Sequence, residues 1–186
     1  MTRRPKPGIW AMEAPWSPRV SDVRSVAPVL DALEDAGVAR CTRHVINSKD
    51  DLFRQLKRLG QKQHERFGIA YVAMHGSPGK VYSGRKSIDL ESLGKELPRG
   101  TLTKKVLHFG SCSVLTDEAQ RDGLRRALHA RVITGFTEDV DWFESLAFEI
   151  LLFEALTRYA RPSDAEKFIR KNYGELAERL GFVMVR

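Results

Sequence analysis

Two side chains capable of covalent chemistry follow short apolar runs of the sequence. His75 comes directly after the run 69–74, and Cys112 comes three residues after the run 106–109. An imidazole beside a thiol can accept its proton, and the resulting thiolate is a strong nucleophile. These two residues therefore predict nucleophilic attack by sulfur, provided that the fold brings them together.

The two apolar runs are the elements that must position this pair. Each is short and unbroken, which is typical of a strand buried on both faces. The stretch between them is long enough for a crossover connection, so the two strands can be parallel and close to each other. Ligands of open α/β sheets bind outside the carboxyl ends of the strands. We therefore expect His75 and Cys112 to lie side by side at that edge, with the amides of Gly76 and Cys112 available to an oxyanion.

The rest of the chain alternates between strand and helix patterns. Strands are predicted at 8–14, 38–46, 69–74, 106–109, 131–134 and 182–185, with a small hairpin at 80–88. Helices are predicted at 25–36, 49–60, 90–97, 116–128, 139–159 and 163–180. Short links between alternating elements predict a mostly parallel central sheet with helices on both faces. We expect one α/β domain over residues 1–186, with a flexible tail at 1–7.

The composition is that of a globular protein. The chain has 186 residues, of which 42% are apolar and 30% are charged, and this size suits a single domain. No apolar run approaches the roughly 20 residues needed to cross a bilayer, and no secretory signal follows the basic N-terminus. We therefore expect a cytoplasmic protein. Two cysteines are too few for a disulfide scaffold, and no zinc-binding spacing is present, so we expect no metal and no cofactor.

The net charge of +7 favours acidic partners. The charge is dispersed, however, and no nucleic-acid-binding motif accompanies it. We therefore expect a protein or peptide substrate, no nucleic acid, no membrane, and a possible regulatory protein partner.

The strand ending in His75-Gly76 and the later strand followed by Ser111-Cys112 resemble the catalytic pattern of the caspase-like cysteine peptidases. The segment 132–136, followed by Val140-Asp141-Trp142 and an apolar helix, is similar to the CHAT-like peptidases of bacteria. The resemblance implies a caspase- or flavodoxin-like three-layer sandwich. It also implies His75 as general base, Cys112 as nucleophile, and Gly76 as an oxyanion donor. The bacterial relatives suggest controlled cleavage of few targets, as in defence. Ser111 stands where caspases commonly have Ala.

The family forms part of its primary specificity pocket from the segment after the strand that follows the nucleophile. Here that segment contains Glu138, Asp139 and Asp141, and with Ser111 these are the predicted substrate-binding residues. Carboxylates in this position favour cleavage after a basic residue. Capping of the following helix by Asp139 or Asp141 is an equally good interpretation.

Two other interpretations stay open at the level of sequence. The first is a catalytically silent caspase-like adaptor or regulatory module, whose apolar helix 139–159 docks a partner. The second is a flavodoxin-like domain that binds a small ligand. His108, inside the strand that precedes Cys112, is interpreted as a structural residue that packs beneath the site.

Overall fold

The computed structural model describes residues 6–17, 19 and 21–186. Strands and helices alternate along this part of the chain, as the sequence predicts. The strands are β1 (Gly8–Glu13), β2 (Cys41–Val45), β3 (Phe67–Ala73), β4 (His75–Ser77), β5 (Lys80–Ser83), β6 (Lys86–Asp89), β7 (Val106–Phe109), β8 (Val132–Phe136) and β9 (Phe182–Val185). The helices are α1 (Ala27–Asp35), α2 (Lys49–Leu59), α3 (Leu90–Glu96), α4 (Glu118–Ala127), α5 (Trp142–Arg158) and α6 (Pro162–Arg179).

Six strands form a central sheet in the order β2-β1-β3-β7-β8-β9. Neighbouring strands are parallel except for β9, which runs antiparallel to β8. The remaining strands form a small antiparallel sheet in the order β4-β5-β6. The predicted hairpin at 80–88 is therefore part of a three-stranded sheet, whose first strand begins at His75.

The central sheet has a separate apolar layer on each face, because successive strand residues point to opposite sides. In β3, Ile69 and Tyr71 face the layer formed with α1, α5 and α6, whereas Ala70 and Val72 face the layer formed with α2, α3 and α4. All four side chains are buried. This arrangement confirms the predicted α/β class, a mostly parallel sheet between two helical layers.

Helix α5 begins three residues later than the sequence suggests, because Asp141 is its N-cap. The Asp141 carboxylate accepts hydrogen bonds from the amides of Phe143 and Glu144 at 2.9 and 3.0 Å. Phe148 is fully buried against the sheet, but the side chain of Phe143 is 78% exposed. The helical spacing of Trp142, Phe143, Phe148 and Phe153 predicts core positions for all four, and this prediction is wrong for Phe143.

The amino-terminal segment enters the fold at β1. Residues 1–5 of the predicted tail lie outside the described residues. Lys6 donates a hydrogen bond to the carbonyl of Gly37 at 3.1 Å, and a Cβ atom at Gly68 would lie 2.7 Å from the Cβ of Pro7. Within the described part of the chain, no helix combines the length and apolar character needed to cross a bilayer.

Candidate active site

The register between β3 and β7 aligns the ends of the two strands. Ile69 pairs with Val106, and Val72 pairs with Phe109. Three residues beyond the last pair come His75 on one side and Cys112 on the other. Because the strands are parallel, these positions project from the same edge of the sheet. The predicted meeting of the two segments thus follows from the register.

The segments stay in contact after the strands end. A Cβ atom at Gly76 would lie 2.5 Å from the carbonyl oxygen of Cys112 and 2.8 Å from the Cβ of Ser111. Real Cβ atoms do not approach other atoms this closely, so position 76 requires glycine. The backbone beside His75 therefore packs directly on the backbone that carries the thiol.

The imidazole of His75 is exposed and is oriented by the backbone. Its Nε2 atom lies 2.7 Å from the carbonyl oxygen of Trp16. A carbonyl oxygen can only accept, so Nε2 carries the hydrogen and Nδ1 of a neutral ring is free to accept a proton. The ring also meets the Trp16 indole edge-on, with centroids 5.4 Å apart. This contact fixes the Nε2–H tautomer of a neutral His75 ring.

Cys112 is half-buried and is followed by a tight turn. Its Sγ atom lies 3.9 Å from the carbonyl oxygen of Val140, a long contact. Ser113 has a φ of 52°, in the left-handed region, and its amide donates to the carbonyl of Glu138 at 3.0 Å. The Ser113 hydroxyl donates to Asp139 at 2.5 Å. The loop after the thiol is thereby fastened to the loop that precedes α5.

Aromatic and backbone contacts link the segments that carry His75 and Cys112. Trp16 packs on His75, and it also packs edge-on against Trp142, with centroids 4.3 Å apart. Trp142 lies two residues after Val140, whose carbonyl oxygen is 3.9 Å from the Cys112 sulfur. Gly76 packs directly on the Cys112 backbone. Contacts among several loops of the chain thus connect the two segments.

A buried carboxylate supports the loop that carries Trp16. Glu13, at the end of β1, is 4% exposed. It accepts hydrogen bonds at 2.9 Å from four donors, namely Trp16 Nε1, Ser25 Oγ, the amide of Val26 and a guanidinium nitrogen of Arg43. Four donors satisfy both oxygens of the carboxylate. Glu13 thereby holds Trp16, whose carbonyl oxygen contacts His75.

Asp22 adds negative charge near the imidazole. Hydrogen bonds from Arg24 lower the pKa of Asp22 to about 2, with smaller coulombic contributions from Arg24 and His75. The carboxylate is therefore ionised at neutral pH.

The predicted substrate-binding residues lie in different settings. Asp141 caps α5, and Asp139 accepts the Ser113 hydroxyl. The side chain of Ser111 is 1% exposed, and its hydroxyl has no hydrogen-bond partner among the described residues. Glu138 is exposed, and its carboxylate forms no ion pair with any described residue. Of the three carboxylates, Glu138 is thus the one available to a ligand.

A buried polar cluster lies beneath the site. The Tyr71 hydroxyl donates to Glu149 at 2.5 Å, and His108 Nε2 lies 3.0 Å from the other oxygen of that carboxylate. His108 Nδ1 lies 2.9 Å from the Thr134 hydroxyl. All four residues are at most 1% exposed. Burial and the Glu149 charge raise the pKa of Tyr71 well above its usual value, so the phenol is a donor here. His108 is structural, as the sequence suggests.

The comparisons with known proteins identify a family and a fold. The model of a family of unknown function, DUF6642, matches residues 7–185. The chain belongs to this family. No curated protein matches this chain.

The chain is also similar to a solved complex of the Porphyromonas gingivalis RgpB pro- and mature domains. The TM-score is 0.58 and the identity is 9%, over 96% of this chain and 47% of that one. The chain thus spans about half the length of the solved one. At this identity the likeness shows the fold alone, a three-layer sandwich of the caspase- or flavodoxin-like kind.

The supporting residues of the site, Glu13, Trp16 and Glu149, were not predicted from the sequence. Glu13 is an acidic residue at the end of an apolar strand, and Glu149 interrupts the most apolar helix of the chain. An acidic side chain inside an apolar run indicates a buried carboxylate with hydrogen-bond partners, because an unpaired buried charge is strongly destabilising. Trp16 had no such signal, because its contribution is a backbone carbonyl.

Proposed function

We propose that this chain is a cysteine endopeptidase of the caspase-like superfamily, closest in pattern to the CHAT-like peptidases. The observation that carries the proposal is the contact of Gly76 with the carbonyl of Cys112, which joins the segments of the imidazole and the thiol. The hydrogen bond from His75 to Trp16 supports it further, because it leaves Nδ1 as the proton acceptor.

The proposed reaction proceeds through an acyl-enzyme. His75 Nδ1 takes the proton of the Cys112 thiol, and the thiolate attacks the carbonyl carbon of the scissile peptide bond. The amides of Gly76 and Cys112 would stabilise the oxyanion. The C–N bond then breaks as His75 returns the proton to the leaving amine. Water hydrolyses the thioester, which releases a carboxylate and restores the thiol.

Cleavage after a basic residue is the proposed specificity. Its support is Glu138, whose exposed carboxylate is unpaired among the described residues, whereas Asp139 and Asp141 are engaged within the protein. A carboxylate at the rim of a pocket forms charge-assisted hydrogen bonds with Arg or Lys. Glu138→Gln should therefore raise KM for Arg and Lys substrates and leave other substrates unaffected.

The test compares cleavage of fluorogenic Arg, Lys and Asp peptides by the wild type and three variants. Cys112→Ala and His75→Ala should each lower kcat by at least about 10²-fold, since a positioned base alone contributes about 10²–10⁴. Cys41→Ala is the matched control and should keep the wild-type rate. A peptidyl chloromethyl ketone should alkylate Cys112. Wild-type cleavage by Cys112→Ala would refute the dyad.

A silent adaptor is the second candidate, and one observation favours it. Phe143 is 78% exposed and Ile150 is 37% exposed, and they lie two turns apart on α5. Residues at this spacing share one face of a helix, so they offer an apolar surface to a protein partner. The absence of any cleavage by the wild type, together with loss of a co-purifying protein in Phe143→Ser, would favour this function.

A further inference from the structure

A large cavity lies at the opposite edge of the sheet from His75 and Cys112. It has a volume of about 710 Å³ and lies between the amino ends of β3 and β7 and the link from α5 to α6. Ile69, Val106 and Leu156 line it but are almost fully buried, whereas the lining Tyr159 is half-buried. Cavities of roughly 300–1,000 Å³ are typical of small-molecule sites. At about 3.3 Å per extended residue, the six residues from Ile69 to His75 separate the cavity from the imidazole by about 20 Å.

The charge of this cavity is strongly positive. Five basic side chains line it, and Glu65 is the acidic one among its lining residues. The basic residues are Lys6, Arg66, Lys104, Arg131 and Arg158. The carboxyl end of α5 also faces the cavity, but a helix end carries only about half a negative charge. The net field therefore attracts anions, although the charge of the chain as a whole is dispersed.

Three of these cations form no ion pair with the described residues, namely Lys6, Arg66 and Arg131. The Arg66 guanidinium lies 5.3 Å from the centroid of the Phe67 ring. Arg158 pairs with Glu154 at 2.6 Å. Lys104 pairs with Glu65 at 3.2 Å, but both side chains are exposed, and such pairs contribute only about 0–1 kcal/mol. The guanidinium groups are thus available to a ligand with several negative charges, for which their fork geometry is suited.

A buried lysine holds the wall of the cavity in place. Lys105 is 5% exposed, and its Nζ atom donates to the carbonyls of His64, Glu65 and Phe67 at 3.1, 3.3 and 2.7 Å. Burial lowers the pKa of Lys105, so this arrangement is electrostatically costly. The three hydrogen bonds from Lys105 fix the segment that carries Glu65 and Arg66. The backbone amide of Arg131 likewise donates to the carbonyl of Lys105 at 3.1 Å.

We propose that this cavity binds a small phosphorylated molecule with two or more negative charges, either a nucleotide or a polyphosphate. Arg66, Lys104 and Arg131 would contact phosphate oxygens, and an organic group, if one is present, would lie against the half-buried Tyr159. A concave cavity of this size suits a small ligand better than a nucleic-acid backbone, which proteins follow along an extended stripe. The site is independent of the proposed peptidase chemistry.

The experiment measures the affinity of the full chain for ATP, sodium tripolyphosphate and adenosine by calorimetry, at constant ionic strength. ATP and tripolyphosphate should bind and raise the melting temperature, and adenosine should not. Tighter binding of ATP than of tripolyphosphate identifies a nucleotide site, and equal binding identifies a polyphosphate site. Arg66→Glu and Arg131→Glu should each weaken binding about tenfold or more, the value of one charged hydrogen bond.

The matched control is Arg85→Glu, an exposed arginine in the turn between β5 and β6 that does not line the cavity. It should change the affinity less than threefold. Equal losses in all three variants would overturn the proposal, because they would indicate only long-range attraction. Binding of a single-stranded oligonucleotide without binding of ATP or tripolyphosphate would overturn it as well. Cys112→Ala should bind like the wild type, so a failed peptidase test leaves this result intact.

Discussion

Removal of the buried Glu149 carboxylate should destabilise the protein more than any comparable change on the same helix. In Glu149→Ala, the Tyr71 hydroxyl and His108 Nε2 lose their acceptor at positions that are at most 1% exposed. Each buried donor left without an acceptor costs about 1–3 kcal/mol, so the two together cost about 2–6 kcal/mol. A chain of this size loses about 2 kcal/mol of stability per molar urea. The unfolding midpoint should therefore fall by about 1–3 M urea.

The matched control is Glu154→Ala, which makes the same change on the same helix. Glu154 pairs with Arg158 at 2.6 Å, but this pair is on the surface. Pairs of this type contribute about 0.3–0.5 kcal/mol, so the midpoint should move by no more than about 0.3 M urea. Equal midpoints for the two variants would refute the conclusion that the buried cluster stabilises the fold.

A second variant tests whether the hydroxyl and the carboxylate act together. Tyr71→Phe alone removes one of the two hydrogen bonds to Glu149 and should cost about 1–3 kcal/mol. In the Glu149→Ala background the same change removes a hydroxyl that already lacks a partner, so it should be neutral or stabilising. An equal cost in both backgrounds would contradict the hydrogen bond between these two side chains.

Three further predictions concern the site. Gly76→Ala should lower the free energy of unfolding by about 1–3 kcal/mol, measured in urea, because its Cβ would overlap the carbonyl of Cys112. The control Gly123→Ala, in open space on α4, should not destabilise the protein. A larger loss of stability in Gly123→Ala than in Gly76→Ala would contradict the packing at Gly76. Iodoacetamide at pH 8 should label Cys112 before Cys41 in peptide maps. Burial raises the Cys41 pKa to about 12, which leaves about one thiolate in ten thousand; faster labelling of Cys41 would contradict that environment. Glu13→Gln should cost about 1–3 kcal/mol by weakening four charge-assisted hydrogen bonds, and an unchanged midpoint would count against them.

Much of the architecture could be predicted because each element has a local cause. Unbroken apolar runs predict the buried strands. Ser48 predicts the start of the helix that follows it, and in the structure its hydroxyl accepts a hydrogen bond from the amide of Asp51 at 3.1 Å. The strand β4 was not recognised, because His75-Gly76-Ser77 has no apolar residue and pairs only within the small sheet. The exposure of Phe143 depends on where α5 begins and on which face meets the sheet, and neither follows from composition.

The choice between pocket and cap for the acidic segment also required coordinates. Both uses of Asp139 and Asp141 are consistent with the sequence, because a carboxylate before a helix can cap it or face a ligand. The amides of Phe143 and Glu144 engage Asp141, and the Ser113 hydroxyl engages Asp139. Only these contacts separate Asp139 and Asp141, which are engaged within the protein, from Glu138, which forms no ion pair with the described residues.

The sequence by itself determined the α/β class, the chemistry available to an imidazole and a thiol, and the position of each beyond an apolar strand. These properties depend on residue type and on local periodicity, and both can be read from the sequence before the fold is known. The tertiary structure decided that the two strands are neighbours and that Val72 pairs with Phe109, so that His75 and Cys112 reach the same level. It also decided that the Trp16 carbonyl orients the imidazole and that the cations of distant segments meet in one cavity. Register and long-range contacts depend on how the whole core packs, and no local pattern records them.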